Sequence, residues 1–160
     1  MGDRVAVTLH LPKSEYDRTF EKGIDLQGNY ETPYDYPSEG QTLKMIEVVF
    51  DECNYANIGI ETTLQEAKIP YDKFWEQGGD YESGTEYFRI LEDGQGVTKE
   101  FCGNEETHIS LQSLLKAREG GLESVDAFIA KELSRREILP WPDQVKILEK
   151  LRDAADLNSD

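Results

Sequence analysis

The chain has 160 residues, a usual size for one domain, and its 38% hydrophobic and 10% aromatic side chains suit a packed core and argue against disorder. Its formal net charge is −16, which sets it against direct binding to nucleic acid or anionic membrane, where affinity comes from neutralising phosphate. No apolar run approaches the roughly 20 residues needed to span a bilayer, and two cysteines are too few for a disulfide framework.

Val5, Val7, Leu9 and Leu11 alternate with Ala6, Thr8 and His10, and this period of two predicts a first strand that Pro12 ends. Residues 14–22 suit a short helix with Ser14 as N-cap and Gly23 as stop. Residues 28–40 hold two prolines between flanking glycines and predict an exposed loop that carries Tyr30, Tyr34 and Tyr36. The β-branched run 43–50 predicts a central strand. A helix follows from Ile60, with Ile60, Leu64 and Ala67 on one face and Pro70 as its limit. Residues 71–75 read as a strand. Residues 85–91 and 97–101 flank an Asp-Gly break and predict a hairpin.

From residue 108 the texture is helical. Helices are expected near 110–118, 124–137 and 143–157, with a Leu139-Pro140-Trp141-Pro142 corner between the last two. The expected fold is α+β: a single domain over 1–160, with an antiparallel or mixed sheet of about four to five strands in the first two-thirds. The C-terminal helices pack on that sheet and supply much of the core through Leu114, Leu115, Phe128, Ile129, Leu133, Leu148 and Leu151.

The charge is unevenly placed. Residues 45–107 hold 15 Asp and Glu against 4 Lys and Arg, a net of −11, whereas residues 108–160 carry only −2. Acids interleave with aromatic residues at Tyr34-Asp35-Tyr36, Tyr71-Asp72, Trp75-Glu76 and Asp80-Tyr81-Glu82. Tyr and Trp bring large amphipathic area to an interface, and neighbouring carboxylates pair with Lys and Arg of a partner. The competing reading is a half-buried strand with its aromatic residues inward and acids outward. The confinement of the charge to the same region favours a binding face made of these ten residues.

Asn54-Tyr55, Ile69-Pro70-Tyr71-Asp72, Trp75, Gly78-Gly79-Asp80-Tyr81 and Gly84 resemble the texture of uncharacterised small acidic proteins of bacterial phages and plasmids. The resemblance covers about a fifth of the chain. It implies a mobile-element origin and an interaction role, and it brings no activity or catalytic residue with it.

Catalytic motifs are missing from the sequence. Cys102 and His108 form a nucleophile–base pair to test, but Glu100, Glu105 and Glu106 nearby oppose thiolate formation. Cys53, Cys102, His10 and His108 lack the paired short spacings of a zinc site, and the Gly-Gln-Gly at 94–96 reads as a hairpin turn. Neither cofactor nor metal is expected. The leading expectation is a non-enzymatic, cytoplasmic inhibitor of anti-CRISPR or anti-restriction type. It would occlude a basic, nucleic-acid-handling protein partner, as a nucleic-acid mimic, with no direct contact to nucleic acid or membrane. The alternatives are a small enzyme using Cys102 with His108 or a carboxylate pair, and an assembly or scaffold subunit.

Overall fold

A computed structural model describes residues 4–38 and 40–157; Met1, Gly2 and Asp3, and with them part of the N-terminal reading, lie outside the described residues. The elements run β1 (Arg4–Pro12), α1 (Lys13–Glu21), β2 (Tyr30–Ser38), β3 (Gln41–Asn54), α2 (Glu61–Glu66), β4 (Tyr71–Trp75), β5 (Gly84–Ile90), β6 (Gly96–Cys102), α3 (Leu111–Arg118), α4 (Leu122–Arg136) and α5 (Trp141–Leu157). The strands form one sheet in the order β2-β3-β1-β4-β5-β6. Every neighbouring pair is antiparallel, and six strands replace the four to five expected.

Alternation along β1 fixes the two faces of the sheet. Val5, Val7, Leu9 and Leu11 are buried, and Val7, Leu9 and Leu11 stand opposite Phe50, Val48 and Ile46 of β3. Tyr16 of α1, Leu64 of α2, Ile69 and Leu148 of α5 cover this face and complete the core. Burying one such aliphatic side chain contributes on the order of 2 kcal/mol. Near the start of β1 the register slips: Val5 faces Cys53 while Val7 faces Phe50. The extra residue on β3 makes a bulge, with Glu52 at φ 56°.

Helix α5 crosses the end of the sheet and is tied to it by polar groups. Gln144, fully buried, accepts from the Ile90 N–H at 2.8 Å and donates to the Ile90 carbonyl at 3.2 Å. The amide thereby stands in for a strand beyond Tyr71, where β4 begins opposite Phe88, and it satisfies two backbone groups that would otherwise be orphaned. Arg89 of β5 pairs with Asp72 at 2.6 Å and donates to the carbonyls of Leu139, Tyr71 and Phe88. Its guanidinium stacks 3.9 Å from the ring centroid of Trp141, whose Nε1 donates to Asp72 at 2.9 Å. At the far end of α5, Arg152 reaches the buried Glu15 of α1, which Arg18 also contacts.

Three expectations are corrected. Residues 30–38 are an edge strand, not a loop. Pro33 and Pro37 are four apart, so both ring nitrogens lie on one edge, the outer one, and β3 pairs with the other. Ser14 lies inside α1, which begins at Lys13 after Pro12 and has no side-chain cap. The C-terminal helices do not supply much of the core: α3 and α4 bury no residue, and only Trp141, Gln144 and Leu148 of α5 are buried. Leu114 and Ile129 are half-buried and Leu115 and Leu133 exposed. The periodicity of α3 and α4 serves their own antiparallel hairpin, which meets the body mainly at its base. There Arg136 donates to the carbonyls of Glu105 and His108, and Lys99 donates to those of Ser134 and Glu137.

Candidate binding cleft

Helix α1 packs on β1 and β3, and α2 reaches β4 through Glu61–Lys73 and Gln65–Tyr71. Beyond them lies a cleft of about 330 Å³ lined by Tyr55, Ala56, Lys73, Trp75, Tyr81, Glu82, Glu100 and Cys102. Strand register builds its floor from two cross-strand rows. One is Trp75–Gly84–Cys102, and the other is Lys73–Glu86–Glu100. A second hollow of about 410 Å³ adjoins it, sharing Tyr55, Ala56 and Lys73 and adding Glu61 and Glu86.

Two glycines make room for its lining groups. A Cβ at Gly84 would lie 2.1 Å from the Trp75 ring, so the indole can rest on β5 only over a glycine. There its Nε1 donates to the Glu82 carbonyl at 3.0 Å. Gly103, at φ +57°, would place a Cβ 2.4 Å from the Glu82 carboxylate, so that carboxylate also lies against bare backbone. The opposite wall is the turn after β3, where Tyr55 and Ala56 hold φ of 51° and 55°. Consecutive non-glycine residues in the left-handed region cost energy, yet this turn presents Tyr55 at 60% exposure, 6.1 Å from the Tyr81 ring.

The electrostatics of the floor are uneven. Lys73 is buried, pairs with Glu61 at 2.9 Å, and sits 5.5 Å from the centroid of Trp75. Hydrogen bonding to Lys73 and to the Ile58 N–H outweighs desolvation and holds the Glu61 carboxyl below its usual range. Glu86 accepts from the Tyr71 hydroxyl at 2.5 Å and stands opposite Glu100. Like charges on directly opposed residues destabilise a sheet. Among the described residues, Glu82 and Glu100 have no cationic partner. Desolvation first, and then the field of Glu100, raises the Cys102 thiol above its ordinary value, which disfavours a nucleophilic thiolate. His108 lines a different hollow, beside Phe128, and its Nδ1 meets Thr107 Oγ1 at 2.8 Å. That larger hollow, about 550 Å³, is also charged, but its Glu132 is already paired with Arg135 and Arg136.

The ten residues expected on one face divide among several places. Trp75, Tyr81 and Glu82 line the cleft, and Glu76 and Asp80 are exposed beside it. Tyr71 and Asp72 are corrected: both are buried, Tyr71 in the core and Asp72 under Trp141. Tyr34 and Tyr36 project from the other face of the sheet, where the Tyr34 hydroxyl meets His10 Nδ1 at 2.7 Å. Burial lifts that hydroxyl to about 12. Asp35, exposed, pairs with Lys44 at 2.5 Å. Sequence reasoning missed Tyr55, Lys73 and the role of Gly84; the last was legible only once Trp75 was known to lie opposite it.

Among the described residues, no group of three or more His, Cys, Asp and Glu is placed to hold a metal ion, and no helix is long and apolar enough to cross a membrane. Compared with protein-family models, curated proteins and solved structures, the chain gives no match.

Proposed function

We propose that this is a non-enzymatic acidic binding protein of a phage or plasmid, acting in the cytoplasm on a basic, nucleic-acid-handling partner. It occludes that partner's phosphate-binding surface by presenting carboxylates and aromatic rings where nucleic acid would present phosphates and bases. The inhibition is of the anti-CRISPR or anti-restriction kind. The observation that carries this reading is the cleft: carboxylates without internal cations stand beside ordered, part-exposed aromatic rings, within the segment that holds −11 of the charge. Such an arrangement speeds encounter with a basic surface and supplies anchors once contact is made.

The raised Cys102 thiol and the engagement of His108 Nδ1 by Thr107 weigh against the enzyme alternative. The test is co-purification at low salt, followed by titration of the captured partner against ionic strength. Binding is expected to weaken steeply with salt and to fail in a Glu76→Lys/Asp80→Lys/Glu82→Lys variant that retains its fold. Salt-insensitive capture, or capture that survives the triple charge reversal, overturns the proposal.

A further inference from the structure

We infer that the cleft between Tyr55 and Trp75 is a receptor for a single arginine side chain of the partner. The inference rests on the proposed function and names the group that enters the site. Four features of the cleft converge on a planar cation. Its lining holds three aromatic rings, Tyr55, Tyr81 and Trp75, with the Tyr55 and Tyr81 centroids 6.1 Å apart. Its two carboxylates, Glu82 and Glu100, lie in the lining and have no cationic partner among the described residues. Glu100 faces Glu86 across β5 and β6, a repulsion that an entering cation relieves. Lys73, the cation in the lining, is already paired with Glu61 at 2.9 Å, so it leaves the charge of Glu82 and Glu100 unmatched.

Arginine is favoured over lysine on the chemistry of the walls. A guanidinium is flat, weakly hydrated and stacks on aromatic faces while donating in two directions to carboxylates. An ammonium is compact and strongly hydrated, so it gives up more hydration on entering an aromatic-lined cleft. Gly84 leaves room for the Trp75 ring, and the Nε1 bond to the Glu82 carbonyl fixes it before any ligand arrives, which lowers the ordering cost of binding.

The test titrates the intact protein with N-acetyl-arginine methylamide, with the lysine equivalent and with the neutral isostere citrulline, following backbone amides and the Trp75 indole N–H by NMR. The arginine compound is expected to shift Trp75, Tyr55 and Glu100 together and saturably, with an affinity of about 1 mM, as for one side chain. Lysine is expected to bind about threefold or more weakly and citrulline not at all. Glu100→Gln, and separately Tyr55→Asn, which tolerates the left-handed backbone, should each weaken arginine binding about threefold or more. Equal shifts with citrulline, or undiminished binding to both variants, overturn the inference. If no probe shifts the cleft while partner capture stays salt-sensitive, the arginine receptor fails and the acidic-face reading stands. If capture is salt-insensitive, that broader reading fails instead.

Discussion

In β1 every second side chain is buried, whereas neither α3 nor α4 buries a single residue. Both segments are amphipathic by sequence, so the pattern alone does not explain the difference. The sheet buries its apolar face between layers and then closes its end with polar ties: Arg89 to Asp72, Gln144 to Ile90, Glu15 to Arg152. The hairpin has one internal contact surface and leaves Leu111, Leu122 and Leu133 at 69%, 82% and 62% exposure. It is also electrically balanced, with 5 acids and 5 bases between residues 108 and 137, while the sheet region carries the excess negative charge. Stability and charge thus lie together in one region, and the other is attached to it at its base by the side chains of Lys99 and Arg136 donating to backbone carbonyls.

The largest test of this contrast is Arg89→Met. It leaves the Asp72 carboxylate buried with Trp141 Nε1 as its remaining donor and strips hydrogen bonds from the carbonyls of Leu139 and Tyr71. Breaking a buried pair on one side costs about 3–5 kcal/mol, to be read from urea unfolding. The comparison breaks if the loss is below about 1 kcal/mol, the range of an exposed pair, because the end of the sheet would then not depend on its polar ties.

A matched pair of leucine truncations sharpens it next. Leu9→Ala removes a fully buried side chain, and such changes cost about 2–5 kcal/mol. Leu133→Ala makes the same chemical change on the exposed face of α4 and is expected to stay within about 0.5 kcal/mol. Equal losses would mean that the hairpin is covered in solution, which the molar mass of the free protein would then reveal.

How far these differences were legible in the sequence depends on what each element required. Alternation from Val5 to Leu11 specified β1 and its buried face, because a two-residue period has one physical meaning when half the positions are apolar. The Asp-Gly break specified the β5–β6 hairpin. Strand β2 was hidden by Pro33 and Pro37, which exclude a central strand but not an edge, and edge position belongs to the sheet rather than to the segment. The helical period of α3 and α4 showed that each has an apolar stripe, not what it packs against. In the cleft, Trp75 and Glu82 stood out by residue type. Tyr55 did not, since its place depends on left-handed backbone that no side chain there announces. Asp72 was misread because alternation cannot say which side of a strand a later helix will cover.

The smallest expected effect separates the two regions by pH. His10 lies on the face of the sheet opposite the main core, against Tyr34 and Phe74. Burial lowers its pKa below the ordinary 6.5, against the opposing pull of Glu47 and Asp72. The unfolded chain therefore binds this proton more readily than the folded one. His10 costs nothing above pH 6.5, and stability declines as the pH falls from 6.5 through its lowered folded value. Glu132 of α4 behaves differently. Its hydrogen bond to Arg136 holds it below the ordinary 4.5, so what that pair contributes is present above 4.5 and is lost only in more acid solution. Between pH 7 and 5.5 the sheet should weaken slightly, while the α4 pair keeps its charge. Urea unfolding of the native chain and of His10→Gln at both pH values isolates the histidine, because the carboxylates common to both proteins cancel in the difference. The native chain is expected to lose more stability than the variant on acidification. An equal loss would show that His10 is as free to take up its proton in the folded sheet as in the unfolded chain.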